Sequence, residues 1–302
     1  MGEEYIDLQI NGYKGVDFSS PELTGDDFLR AAEAIFDSGT VLFLPTIVTG
    51  PEELYRRNIG IIQEAASSHG LLSRIPGVHL EGPFLSPEPG AVGCHKPEFV
   101  QDPSIPLFDR IYAFTGPFLR MMTVAAERPG APELIRHATE TGVRISLGHH
   151  LAASADLNAA AEAGAVALTH LGNGCPNLLD RHRNPIWAGL ACDALTAMLI
   201  TDGHHLPAEV VKCMVKIKGA DHIIVTSDAA PVAGLPPGRY HMLGNDAVLE
   251  PNGKFHNPEK GCLVGSASGM RECVAFLRSL NLFSDAEIRK VSYENPKRLI
   301  GC

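Results

Sequence analysis

No two of the seven cysteines form a C-x-x-C pair, and an odd, scattered set does not read as a disulfide framework. Free thiols in a reducing compartment are expected instead. No apolar stretch approaches the roughly 20 residues that a membrane-spanning helix needs. Lys and Arg form no long run, and the formal net charge is −10. A nucleic-acid-binding surface is excluded on that balance, because phosphate contacts need clustered cations. One local Arg or His would still suffice for a phosphorylated small molecule. The chain has neither a G-x-S-x-G elbow for a serine nucleophile nor a Walker loop for a nucleotide. It has no internal repeat, low-complexity tract or linker. The start, Met1-Gly2-Glu3-Glu4, is acidic and runs straight into a strand-like segment, so no secretory leader is expected and the protein reads as cytoplasmic.

What the chain does have is a rhythm. Its 302 residues are 45% hydrophobic, enough for a large core, and the length admits two domains or one barrel with insertions. Apolar runs of strand length recur at Ile6–Ile10, Val41–Thr46, Gly77–Leu80, Leu119–Ala125, Val143–Leu147, Ala165–Thr169, Ala197–Thr201 and His222–Thr226. Continuous apolar runs suit parallel strands buried on both faces. Helical patterns fall between them: from Thr24 to Gly39, from Pro51 to Gly70, and over Pro132–Thr141, Ala153–Ala163 and Pro207–Ile217. Acidic first turns and terminal glycines mark their ends. Alternating strands and helices predict an α/β fold, a (β/α)₈ TIM barrel, with a doubly wound open sheet as the alternative. Two stretches break the pattern. Residues Gly82–Pro106 form a Pro- and Gly-rich loop after the third strand. Residues Pro236–Gly265 look like a β-hairpin insertion after the eighth, with strands Arg239–Leu243 and Ala247–Glu250 and a turn at Pro251-Asn252-Gly253. One domain, residues 1–302, is expected.

Nearly every predicted strand ends on a polar group. In chain order these are Gln9 and Asn11, Thr46, His79 and Glu81, Glu127, His149 and His150, His170, then Asp202, His204 and His205, and finally Asp228. In a barrel, strand C-termini converge on one face, where such folds place their chemistry. A Glu and two His hold Zn²⁺ or Fe²⁺ and leave a position open for water. Such an ion lowers the pKa of water towards about 7. A separate Asp then takes the water's proton and delivers it to a leaving amine.

With these residues in place the chain resembles the amidohydrolase superfamily, and within it the N-acetylglucosamine-6-phosphate deacetylases. The resemblance runs from D-L-Q-I-N-G (Asp7–Gly12) to E-N-P-K-R-L-I-G (Glu294–Gly301). Between them lie H-L-E-G-P-F (His79–Phe84), S-L-G-H (Ser146–His149), T-H-L-G-N (Thr169–Asn173), D-G-H-H (Asp202–His205), T-S-D-A (Thr226–Ala229) and L-V-G-S-A (Leu263–Ala267). It implies that Glu81, His149 and His170 are metal ligands and that Asp228 is the catalytic acid/base. His95 would contact the substrate in the chemical step, beside Cys94. Asn173 and Gly174 would hold the sugar phosphate, with His205 a further contact and Arg181 the phosphate-binding arginine. Leu263, Val264 and Gly265 would line the substrate. Related enzymes carry H-x-H on the first strand for a second metal, where this chain has Gln9-Ile10-Asn11, so one divalent ion, Zn²⁺ or else Fe²⁺, is expected per site. The resemblance implies removal of the N-acetyl group from an amino sugar phosphate, possible homodimerisation, and a barrel without the small β-sandwich domain of the family.

The departures keep alternatives open. The chain reads Asn173-Gly174-Cys175 where the family has N-A-M, and Arg183 competes with Arg181 for the phosphate. An unphosphorylated or non-sugar N-acyl substrate, or a sugar-phosphate-binding protein without activity, are the competing readings. His79 is either close to the ligands or a satisfied core histidine. His150 and His204 should point away from the site. Glu127 either supports the site or pairs with Arg128, and Gln9 and Asn11 either bond the metal's water or fill the vacated metal pocket. His182 and Arg183 read as surface charges.

Overall fold

Buried parallel strands need side chains that pack on both faces, and the eight apolar runs supply them. In the computed structural model, which describes residues 3–242, 245–259 and 262–302, they become β1 (Tyr5–Ile10), β2 (Thr40–Val48), β3 (Val78–Glu81), β4 (Leu119–Val124), β5 (Arg144–Leu147), β6 (Ala167–Leu168), β7 (Thr196–Ile200) and β8 (Ile223–Thr226). They form one sheet in sequence order, each strand parallel to the next. The two ends meet at a parallel bridge between Ile10 and Ala229, beyond the end of β8. The predicted (β/α)₈ barrel is the fold observed.

Helices cover the outside: α1 (Gly25–Asp37), α2 (Glu52–Ser68), α3 (Ile105–Thr115), α4 (Ala131–Glu140), α5 (Ser154–Glu162), α6 (Pro185–Ala191), α7 (Ala208–Lys218), α8 (Met270–Ser279), α9 (Asp285–Arg289) and α10 (Asn295–Ile300). Their starts follow from local chemistry. The Thr24 hydroxyl accepts from the Asp27 N–H at 3.1 Å, and the Asn184 carbonyl accepts from Ile186 and Trp187 at 3.1 and 3.0 Å. Helix α3 lies in a stretch with no predicted helix. Its Pro106 sits in the first turn, where a missing N–H costs nothing, and Ser104 is its cap. No helix among the described residues is long and apolar enough to cross a membrane.

The interior is layered. Ile6, Leu8, Leu42, Leu44, Met121, Ala167, Met198 and Ile224 form an apolar cluster with Ile300 of α10. Towards the strand C-termini a buried polar chain crosses the strands. The His79 Nδ1–H donates to the Leu8 carbonyl at 3.0 Å, and its Nε2 meets the Thr123 hydroxyl at 2.8 Å. Thr123 bonds Thr169 at 2.9 Å, and Thr169 bonds Ser146 at 2.6 Å. Both nitrogens of His79 are therefore spent, and burial pushes its pKa down to about 4. It is a satisfied core histidine.

Asn295, just after a π-turn, donates to the carbonyls of Ala220 and Ile223, both at 2.7 Å, and so ties the C-terminal helix to the entry of β8. Asn295→Ala strands two acceptors, one of them fully buried, and is expected to cost about 1–3 kcal/mol, read as a lower Tm.

After β8 a second sheet folds over the barrel mouth. Strands β9 (Gly238–Met242), β10 (Asn245–Leu249), β11 (Phe255–Asn257) and β12 (Cys262–Leu263) pair antiparallel in that order. Pro251-Asn252-Gly253 joins β10 to β11; Leu243, the end of one expected strand, lies outside the described residues. Ala247, Leu249, Phe255 and Val264 bury this sheet on Ala230 and Val232.

Candidate active site

Three of the polar strand-end residues share one backbone trick. His149, His170 and Asp228 each stand two positions past the last residue of β5, β6 and β8, and each has a left-handed φ, of 51°, 31° and 49°. A non-glycine residue held there stores about 1–3 kcal/mol of strain. That strain turns each side chain back over the barrel mouth, where Glu81 ends β3.

The result is a tight buried cluster. The His170 Nε2 lies 3.0 Å from the Glu81 Oε1 and 3.1 Å from the His149 Nε2, which is itself 3.3 Å from Glu81 Oε1. The His95 Nε2 sits 3.3 Å from the His149 Nε2 and 3.7 Å from the Glu81 Oε2. Glu81, His95 and His149 thus offer ligand atoms close enough to share one ion, and His170 borders the same point. A tetrahedral ion with nitrogens at 2.0–2.1 Å has edges of about 3.3 Å, the spacing found here. The donor set fits a divalent cation.

Hydrogen bonding separates the three imidazoles. The Ala91 carbonyl can only accept, so the His149 Nδ1 at 2.7 Å carries the proton and its Nε2 presents a lone pair to the cluster. The Thr49 N–H can only donate, so the His95 Nδ1 at 3.3 Å accepts and its Nε2 carries the proton. Burial, with His149 beside it, pushes the His95 pKa down to about 3, so the ring stays neutral. His95 therefore points an N–H into the site rather than a lone pair. The His170 Nδ1 is buried without a partner, leaving its Nε2 as the atom facing the cluster.

Gln9 and Asn11 do more than fill space. The Gln9 Nε2 donates to Glu81 at 2.8 Å, and the Asn11 Nδ2 donates to Asp228 at 2.7 Å. Their own carbonyl oxygens are buried and unpartnered. Burial, reinforced by the Glu81 carboxylate, pushes the Asp228 pKa up to about 6. A carboxyl there both takes and gives a proton near neutral pH.

Two glycines let the surrounding loops close on the imidazoles. A Cβ on Gly93 (φ +59°) would stand 2.9 Å from the His149 Cε1, and one on Gly174 (φ +60°) would meet His149 and His170 at 3.0 and 3.1 Å. Gly93→Ala is therefore expected to cost about 1–2 kcal/mol in backbone strain and to weaken metal binding by displacing His149. A Tm scan and a metal titration check both effects.

The other candidates divide. The His205 Nδ1 bonds Asp202 at 2.7 Å, and Asp202 also accepts from the His204 and His205 N–H groups, which holds its pKa down at about 2 against the effect of burial. The Asn173 amide returns to the His170 carbonyl at 3.2 Å. Cys94 is exposed beside His95, and Cys175 is half-buried. The Val264 side chain is used in packing the second sheet, Leu263 is half-buried, and Gly265 adopts φ +120°. Arg181, His182 and Arg183 are exposed on the loop that leads into α6. His150 is buried and accepts from the Ala152 N–H at 3.1 Å, while the His204 Nε2 meets the Asn252 carbonyl at 3.0 Å on the β10–β11 turn. Glu127 accepts from the Leu151 N–H at 2.8 Å and supports the turn after His149, while Arg128 pairs with Asp102 instead.

No family model matches the chain. Curated relatives do. The N-acetylgalactosamine-6-phosphate deacetylase of Escherichia coli O157:H7 is 31% identical over 98% of this chain and 77% of its own length. The N-acetylglucosamine-6-phosphate deacetylase of Homo sapiens is 34% identical over 98% of this chain and 73% of its own. The chain belongs to the N-acetylglucosamine-6-phosphate deacetylase family. The crystal structure of the Mycobacterium smegmatis N-acetyl-D-glucosamine-6-phosphate deacetylase superposes with a TM-score of 0.89 at 26% identity, covering 99% of this chain and 78% of that one. An Asp-to-Ala mutant of that enzyme was solved in complex with N-acetyl-D-glucosamine-6-phosphate, again at a TM-score of 0.89, with 25% identity over 99% of this chain and 77% of that one. Family membership was legible in the strand-end motifs. The bonds from Gln9, Asn11 and Thr49 were not, because they link residues that no sequence spacing relates.

Proposed function

We propose that this chain hydrolyses the acetamide of an N-acetylamino sugar phosphate, N-acetylglucosamine 6-phosphate foremost, to acetate and the amino sugar phosphate. The observation that carries the proposal is the buried cluster of Glu81, His149 and His170 with Asp228 held beside it. The names of the relatives and the sugar-phosphate complex of a structural neighbour supply the substrate class.

In this reading Glu81, His149 and His170 hold one divalent ion, and two imidazoles with a carboxylate favour Zn²⁺. When bound, the ion supplies Lewis-acid activation of water and of the amide carbonyl. The His95 Nε2–H donates to the acetyl oxygen as negative charge builds there. Asp228 takes the proton of the attacking water and delivers it to the nitrogen as the C–N bond breaks. Products are a carboxylic acid and a free amine, and every proton is accounted for without a covalent enzyme intermediate.

Cys94, Asn173, Gly174, His205 and the Leu263–Gly265 segment surround the sugar, with Arg181 and His205 on the phosphate. A homodimer that brings Arg181 to a neighbouring site is part of the same reading. It is supported by the exposure of Arg181 in this chain and by Leu178 and Trp187, 93% and 54% exposed, on the adjoining segment. A cytoplasmic setting goes with the described cysteines, all free thiols. The whole described chain acts as one barrel domain.

The test is kcat/KM for acetate release from phosphorylated and unphosphorylated N-acetylglucosamine. Charge-assisted bonds to the phosphate are expected to favour the former by about 10²-fold. Equal values would shift the reading to an unphosphorylated N-acyl substrate. His95→Gln is expected to lower kcat about 10²-fold with metal content unchanged, as for removal of one oxyanion donor.

A further inference from the structure

The D-L-Q-I-N-G motif contains one residue that the chemistry above leaves idle. Asp7 is fully buried on β1, at the seam where the first and last strands meet. Its Oδ1 accepts from the Thr226 hydroxyl at 2.7 Å, the Ser227 N–H at 3.2 Å and the Gln9 N–H at 3.3 Å, and its Oδ2 accepts from the Ser227 hydroxyl. Every one of these donors is neutral. A buried carboxylate supported only by neutral donors is an expensive way to join two strands that an apolar pair would join as well.

The geometry shows what that expense achieves. The Ser227 Oγ that donates to Asp7 also accepts from the Ala229 N–H at 3.1 Å, so the residues on either side of Asp228 are tied to one hydroxyl. Four residues further along β1 and its exit, the Asn11 N–H donates to the Ala229 carbonyl at 2.8 Å while its side chain bonds Asp228 itself. The first strand thus grips residues 226–229 at both ends, and between the grips Asp228 takes its left-handed φ of 49°.

We propose that Asp7 is a positioning residue for proton transfer: through Thr226 and Ser227 it fixes the turn that presents the Asp228 carboxyl to the reacting atoms. The proposal rests on the assignment of Asp228 as the acid/base. An asparagine at position 7 has one acceptor oxygen in place of two, so the Ser227 hydroxyl loses its acceptor at Oδ2 and must break that bond or reverse it in competition with the Ala229 N–H.

The experiment compares metal-loaded wild type, Asp7→Asn, Asp228→Asn and the double variant, with metal stoichiometry, kcat and KM measured for each. Misplacing a reacting group by about 1 Å costs about 10²-fold, so Asp7→Asn is expected to lower kcat by about 10–10²-fold, with one ion per chain and KM within about threefold of wild type. In the Asp228→Asn background the same change is expected to cost nothing more. A merely structural Asp7 would lower both backgrounds alike, and that result, or an unchanged kcat in folded, loaded Asp7→Asn, overturns the proposal. Should Asp7→Asn not fold, Ser227→Ala removes one hydroxyl and carries the same comparison, with a loss confined to the wild-type background as the expected result. Near-normal turnover by Asp228→Asn alone would instead refute the acid/base assignment.

Discussion

Asp228→Asn is expected to give a folded protein that binds its metal normally and turns over about 10³-fold more slowly, towards the upper range for loss of a general acid/base. The substitution is nearly isosteric, and the Asn11 amide can still donate to the remaining carbonyl oxygen. What disappears is the ability to carry a proton. In the native chain burial and the nearby Glu81 push the Asp228 carboxyl up to about 6, near the pH at which it must accept from water and release to an amine. An amide has no such capacity, so the cost falls on kcat. Initial-rate measurements of acetate release, beside a metal assay, separate this from a loss of binding. A variant with kcat within tenfold of wild type would remove Asp228 from the chemistry.

His149→Ala is expected to be as damaging by a different route. The His149 Nε2 touches Glu81, His95 and His170, and its Nδ1–H is locked on the Ala91 carbonyl. Such outer bonds orient a metal-ligating ring and strengthen it as a ligand. Its removal leaves a carboxylate and one imidazole, too few to hold the ion at ordinary concentrations. Metal content should fall well below one ion per chain, and activity by about 10³-fold or more, since a Lewis acid supplies several kcal/mol of transition-state stabilisation. Thermal stability gives an independent reading. Added metal raises the Tm of wild type by mass action on the folded state, and it should not raise that of the variant. A variant that keeps one tightly bound ion would mean that His95 and His170 suffice.

The barrel was legible because its signal is local. Parallel strands covered on both faces must be apolar throughout, and each run announces itself without its neighbours. Helices α1, α2, α4, α5 and α7 were legible for the same reason, through acidic first turns and closing glycines or helix-length patterns. Helix α3 was hidden by Pro103, Pro106 and Pro117, which in sequence read as loop, although Pro106 at a helix start is harmless. Helix α6 has seven residues, too few to show a period.

In the site, the reactive groups were legible as polar interruptions at apolar strand ends. Their supports were not. The bonds from Gln9 to Glu81 and from Asn11 to Asp228 span 72 and 217 positions, and the Asp7–Ser227 bond spans 220. Only the closed barrel brings them together. The proton placement on His95 was equally out of reach, because it turns on which nitrogen the Thr49 N–H meets.

The division of labour among the four clustered residues is the claim on which the rest depends. An anomalous difference map from crystals loaded with a stoichiometric amount of Zn²⁺ tests it directly. The expected peak lies at about 2.0–2.2 Å from Glu81, His149 and His170, with the His95 Nε2 outside bonding distance and free to donate. A peak bonded to His95 in place of His170, or no peak among these side chains, would contradict it.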